Sequence, residues 1–235
     1  MSEVEQSVKL INHTPNPERT VAAAARLCYS PVGADKLMVD MTGEEAEKLL
    51  NIVISGGHHS TLEHISFSFA IEGISRVTSH QLVRHRIASY SQQSQRYVRE
   101  RDEPVFILPK RIYDLPDTNQ YKQCFIKMIK DCFKEYSDMA DHLINQGYTE
   151  KEAIEDARYI LPNAAETKIV VTMNARSLLH FFNMRCCNRA QREIRDLANT
   201  MLQLVKEVAP IIFEYAGPDC ISGECKEGEM SCGGN

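Results

Sequence analysis

The sequence predicts a single α+β domain, with mixed helices around a small, mostly antiparallel sheet. Three observations carry that expectation. The stretch His64 to Ile71 alternates apolar with small or polar residues, the period of a half-buried strand, and Glu166 to Met173 contains the β-prone run Ile169-Val170-Val171-Thr172. Longer stretches with helical spacing and helix-start signals surround these two. A chain of 235 residues, 43% hydrophobic and 25% charged with no internal repeat, is ordinary for one soluble core without disulfides or metal.

The elements follow in order. Thr20 to Tyr29 is alanine-rich and reads as a short helix. Thr42-x-x-Glu45 is a capping box that opens a helix over Gly43 to Ser55, and Gly56-Gly57 stops it. After the first strand, helical spacing resumes near Ser75 and runs to about Arg86. Ser89 to Arg96 holds three Ser, three Gln, one Tyr and one Arg, and reads as a ligand-facing loop. Pro104, Pro109 and Pro116 mark an irregular connection. Asn119 to Gln146 is a long amphipathic helix ended by Gly147, and Thr149-x-x-Glu152 caps the next, which Leu161-Pro162 closes. Beyond the second strand, Ser177 to Met184 and Arg189 to about Val208 are helical, and Pro210 should kink or restart the helix before Tyr215. Residues 1–216 form the expected domain. Residues 217–235, with five Gly and three Cys, form an expected mobile tail, dispensable for catalysis.

Composition excludes several classes. No run of about 18 uncharged apolar residues occurs, so no membrane span is expected. The start, Met1 to Gln6, lacks the basic-then-apolar order of a secretory signal, and the expected address is cytoplasmic. The eight Cys fit a reducing compartment, where most should be free thiols, and the adjacent Cys186-Cys187 reads as packing. With a net charge of −5, the whole molecule is no general nucleic-acid binder.

The charge is unevenly placed. From Gly73 to Arg99 there is no Asp, Glu or Lys but five Arg: Arg76, Arg84, Arg86, Arg96 and Arg99. From Thr167 to Arg192 there is again no acid, with Lys168, Arg176, Arg185, Arg189 and Arg192. The guanidinium fork suits phosphate and carboxylate. Two readings are open: helical faces paired with acids elsewhere in the fold, or a site for a polyanionic ligand.

No Gly-x-Gly-x-x-Gly or Gly-x-x-x-x-Gly-Lys occurs, so a Rossmann or P-loop nucleotide site has no support. The densest constellation is Gly57-His58-His59-Ser60-Thr61-Leu62-Glu63-His64. Its histidines His59 and His64 lie five apart, roughly 140° round a helix, where a helical zinc pair needs four. No metal is expected; a polar ligand lining is. In Arg84-His85-Arg86, two flanking cations should disfavour the protonated imidazole and leave His85 neutral. Gln81 and Arg84, three apart at a helix end, can point the same way. Arg185, Arg189 and Arg192, at spacings of four and three, would share one helical face. Their mutual repulsion would be relieved by a bound anion or by acids from a neighbour.

At Arg84-His85-Arg86, seven residues and then Ser94, the sequence resembles the flavin-dependent thymidylate synthases. Further blocks follow in family order: Gly57-His58-x-Ser60-x-x-Glu63-His64, Ala157-Arg158-x-x-Leu161-Pro162, Asn174-Ala175-Arg176-Ser177-Leu178, and Arg185-x4-Ala190-Gln191-Arg192-Glu193. The match covers about residues 20 to 215. It implies reductive methylation of deoxyuridine monophosphate (dUMP) to dTMP. The carbon donor would be 5,10-methylenetetrahydrofolate, and FAD reduced by NADPH would supply the hydride at a non-Rossmann site. It also implies a homotetramer with active sites between subunits.

In that picture Ser60, Glu63, Arg84, His85, Arg86, Asn174, Arg176, His180 and Arg189 line the flavin pocket. Gln81, Arg84, Gln92, Ser94, Arg96, Arg158 and Arg185 hold the nucleotide. Arg96 and Arg158 suit its phosphate, and Arg185 suits the uracil carbonyl, where charge develops as C5 becomes nucleophilic. His58 lies near the flavin ring and the folate. No protein nucleophile is required, so neither Ser94 nor any Cys takes that role. Gln92 stands where some relatives have Glu, and His180 where Asn is commoner. Two rival readings use the same residues: an RNA-binding module with Tyr90 and Tyr97 as stacking platforms, and a flavoprotein of another reaction.

Overall fold

A computed structural model describes residues 4–100, 104–221 and 223–232. Part of the segment 1–6, on which the expected address rests, and part of the expected tail 217–235 lie outside these. In chain order the elements are β1 (Ser7–His13), α1 (Pro17–Leu27), α2 (Ala34–Asp40), α3 (Gly43–Ser55), β2 (Ser66–Ser75), α4 (Arg76–Leu82) and β3 (Ser89–Gln92). There follow α5 (Lys110–Tyr113), α6 (Gln120–Asn145), α7 (Glu150–Ala157), β4 (Glu166–Asn174), α8 (Ala175–Arg185) and α9 (Arg192–Val208). The four strands form one antiparallel sheet in the order β1-β2-β4-β3, so the class is α+β.

Residue contacts group the chain into two compact units, each assembled from several segments. The first comprises 1–7, 71–84 and 91–169; the second comprises 8–70, 85–90 and 170–235. Four of the five crossings from one unit to the other fall inside strands, and the fifth falls at the Arg84–His85 bond. No linker therefore separates two sequence domains.

The first unit is built on α6, whose buried face packs on α7. Tyr136 and Ala140 meet Ile154 and Ala157, and Ile129 and Phe133 meet Ala165 and Phe106. Asn119 caps α6 by accepting from the amides of Tyr121 and Lys122, and Gly147 leaves it at φ 97°. Thr149 and Glu152 make the expected reciprocal capping box of α7. Lys122 is buried on α6, and its ammonium is satisfied by the carbonyls of Tyr113 and Leu115 and by Asp117.

The second unit packs α1 on α3 and α8 on α9. Its centre is aromatic: Phe67 meets Phe213 edge-on at 5.5 Å, Phe213 meets Phe182 at 6.0 Å, and Phe182 meets Phe181 at 5.7 Å. The Thr42–Glu45 capping box opens α3 as the sequence indicates. Asn174 caps α8 by accepting from the Ser177 amide at 2.8 Å.

Several boundaries differ from the sequence reading. Helix α1 begins at Pro17, because proline is pre-set for the first turn and Asn16 turns the chain in at φ 46°. Strand β2 starts at Ser66 and runs on to Ser75, while His64 closes a 3-10 turn over His59–His64. Helix α4 stops at Leu82, so Arg84 lies beyond it and the shared helical face of Gln81 and Arg84 does not exist. Part of the expected loop Ser89 to Arg96 is strand β3, held by the Gln93 amide on the Lys168 carbonyl at 2.9 Å. Helix α9 starts at Arg192 after an extended Gln191. Arg185 thus ends one helix, Arg189 sits in a turn and Arg192 opens the next, so the three share no face. Past Val208 the chain turns through Pro210 without restarting a helix.

Candidate active site

In the first unit, strand β3 and the turn after it present the residues assigned to the nucleotide. Gln92 is fixed by its amide nitrogen, which donates to Ser79 Oγ at 3.0 Å and Thr167 Oγ1 at 3.1 Å; both residues are buried. Its carbonyl oxygen is the group left to meet a ligand. Ser94 Oγ accepts from the Arg96 amide at 3.2 Å, a local turn bond that sets the direction of the next side chain.

Arg96 and Arg158 come together on one residue, Glu155 of α7. Arg96 Nη2 donates to the Glu155 carboxylate at 2.9 Å, and Arg158 Nε donates to the Glu155 carbonyl at 3.2 Å. Arg96 Nε is buried with no acceptor among the described residues, a donor left open for a ligand. Arg76, at the start of α4, joins this group: burial and then the charge of Arg158 make its guanidinium easier to deprotonate than usual. The sequence reading included neither Glu155 nor Arg76 in the site. Glu155 stands in α7 three residues before Arg158, which caps that helix, and this is a legible signal; the depth of Arg76 is not.

In the second unit the core of the arrangement is Arg185 on His85. Arg185 Nε donates to His85 Nε2 at 3.1 Å, so the imidazole is neutral with its proton on Nδ1. The His85 pKa falls to about 4, from burial first, then the Arg185 charge, then His180. The expected direction holds, but the cause differs: the cation is Arg185, a hundred positions away, together with desolvation, and not the flanking Arg84 and Arg86. Phe181 walls the ring edge-on at 4.9 Å, with His180 at 6.1 Å. Tyr90, its own pKa pushed up to about 12 by burial, donates to the His85 carbonyl at 2.8 Å.

Other assigned residues take these places. Glu63 pairs with Arg176 in the first turn of α8. The cap bond uses the Asn174 carbonyl oxygen and leaves its NH2 to donate elsewhere. His58 precedes the 3-10 turn, and its ring lies over Gly56, where a Cβ would approach it to 2.9 Å. Ser60 and Arg86 are exposed, and no bond brings their side chains to another assigned residue among those described. Arg189 pairs with Glu227 of the tail.

The pairing reading of the Arg segments holds for six of their ten cations. Arg96, Arg99, Arg176, Arg189, Arg192 and Lys168 meet carboxylates. Among the described residues no carboxylate pairs with Arg76, Arg84, Arg86, Arg158 or Arg185, which leaves cationic donors for an anion. Also among the described residues, no three His, Cys, Asp or Glu side chains gather as a metal ligand set.

These features define a protein that gathers guanidinium donors from side chains, without a glycine-rich phosphate loop. The chain belongs to the family described as thymidylate synthase complementing protein, whose model matches residues 9–211. It is 54% identical over 234 residues to the flavin-dependent thymidylate synthase of Clostridium tetani, covering 96% of this chain and 92% of that protein. The protein of the same name from Geobacter sulfurreducens is 52% identical over 96% of this chain and 93% of its own. That of Saccharolobus solfataricus is 45% identical over 93% of this chain and 79% of its own.

Proposed function

We propose that this chain methylates dUMP to dTMP, with 5,10-methylenetetrahydrofolate as carbon donor and NADPH-reduced FAD as hydride source. Family membership supports the methylation and the flavin. The carbon donor, NADPH, the residue roles and a cytoplasmic homotetramer with active sites between subunits belong to this proposal.

The observation that carries the reading is Arg185, a guanidinium without a carboxylate partner among the described residues, oriented by a neutral imidazole. Because His85 accepts without adding charge, Arg185 keeps its full positive field. It is assigned to the uracil carbonyl, where it stabilises negative charge as C5 attacks the methylene carbon. Arg96 and Arg158 grip the phosphate, Arg96 through the Nε donor it has not used. Gln81, Arg84, Gln92 and Ser94 hydrogen-bond the rest of the nucleotide. Bound FAD would supply the hydride. Ser60, Glu63, Arg84, His85, Arg86, Asn174, Arg176, His180 and Arg189 would hold it, and the set fits a diphosphate-bearing ligand because Arg84 and Arg86 carry no acid partner among the described residues. His58 is assigned to the flavin ring and the folate. Residues 1–216 suffice for this chemistry.

The test is to load the protein with FAD and titrate dUMP while recording the visible spectrum. A saturable change in the flavin bands supports the reading. Bands indifferent to dUMP point to another flavin reaction, and failure to retain FAD removes the flavin assignment.

A further inference from the structure

The tail folds back on the connector between α8 and α9, residues 186–191. Asn183 Nδ2 donates to Asp219 Oδ1 at 2.7 Å, and Lys226 pairs with Asp219 at 3.3 Å. Glu227 holds Arg189, whose Nη2 also meets Met230 Sδ at 3.4 Å. Asn188 Nδ2 meets Cys232 Sγ at 3.8 Å. Connector and tail together line an open cavity of about 390 Å³ whose walls carry five thiols: Cys186, Cys187, Cys220, Cys225 and Cys232. Three of these cysteines belong to the tail, and folding places Cys186 and Cys187 on the same cavity. Among the described residues the five do not gather as a metal ligand set, so the chemistry they share is thiol–disulfide exchange.

The five are not equivalent. Burial pushes the Cys186 thiol up to about 12, so it carries almost no thiolate at neutral pH. Cys232 is the exposed member and meets a soluble oxidant first. Its sulfur lies against Asn188, the residue after Cys187.

We propose that Cys187 and Cys232 form a reversible disulfide that fastens the tail over Arg189. The oxidant is a low-molecular-weight disulfide. The Cys232 thiolate attacks it and expels one small thiol; the Cys187 thiolate then attacks the Cys232 sulfur of the mixed disulfide and expels the second. The two protein thiols give up two protons and two electrons, and the small disulfide takes them up. With the tail fastened, Glu227 stays on Arg189, and the oxidised protein holds FAD less well. That consequence rests on the flavin role proposed for Arg189; the bond itself does not.

The experiment oxidises the full-length reduced protein with glutathione disulfide, then measures intact mass, thiol content and crosslinked peptides. Two thiols are lost and the mass falls by about 2 Da. The crosslink joins Cys187 to Cys232 and dithiothreitol reverses it. C187S and C232S abolish it, while C186S and C225S retain it. A bond between Cys220 and Cys225, or no thiol loss, overturns the assignment. Oxidised protein binds FAD about five-fold more weakly than reduced, roughly 1 kcal/mol. If the bond forms as assigned and FAD affinity does not change, R189A separates the causes. An R189A that also binds FAD normally removes the flavin role of Arg189, whereas a weakened R189A overturns the strap.

Discussion

His85 keeps a neutral ring against a guanidinium, and that single contact links stability to pH. Its folded pKa, about 4, lies below the ordinary 6.5. As pH falls through that interval the unfolded chain takes up a proton that the folded chain refuses, so stability declines. The contribution is complete above about pH 6.5 and lost by about pH 4. H85Q should flatten this part of the Tm-against-pH curve; an unchanged slope would place the titration elsewhere. Replacing Arg185 by Ala should raise the His85 pKa, read by NMR, yet leave it below 6.5 because burial is the larger cause. In the same variant methylation should fall about 100-fold or more with FAD retained, and unchanged turnover would remove Arg185 from the chemistry. Gln92→Ala leaves two buried hydroxyls without their donor and should cost about 1–3 kcal/mol, measured by urea unfolding.

At the scale of elements, what is local is legible. Thr149 and Glu152 stand three residues apart, and their bonds can be written from the sequence. Thr149→Ala should lower stability by about 1 kcal/mol in thermal or urea melts, with α7 fraying first. The stops are less legible. Gly147 announces the end of α6 with its positive φ, but α4 stops at Leu82 before Val83 and α9 begins after Gln191, residues with no such signature. There the surrounding fold, not propensity, sets the boundary. The same holds for β3, whose Ser- and Gln-rich sequence carries no strand pattern and which pairs because β4 offers its edge. The acid partners of the Arg segments are hidden for a related reason. Glu63 meets Arg176 across 113 residues and Glu155 meets Arg96 across 59, and no local pattern encodes such distances.

Over the whole molecule the assigned residues divide by unit. Those for the nucleotide, Arg185 apart, fall in the first, and those for the flavin, Arg84 apart, fall in the second. That division was not legible, because it depends on which half of each strand a residue occupies. Gly73 in β2 shows how closely the first unit is built: at φ 69°, a Cβ there would stand 2.3 Å from the Glu5 carbonyl oxygen. Gly73→Ala should therefore cost more than about 1 kcal/mol and lower Tm by several degrees, and a neutral melt would contradict that packing. The strand order has a further bearing on how the protein is made. In β1-β2-β4-β3 the strand that joins β2 to β3 is synthesised last of the four. While the ribosome adds α6 and α7, the nascent chain carries β2 with one side unpaired and β3 with no neighbour at all. Chains arrested before Asn174 should thus be the ones that chaperones capture, and release should follow emergence of β4.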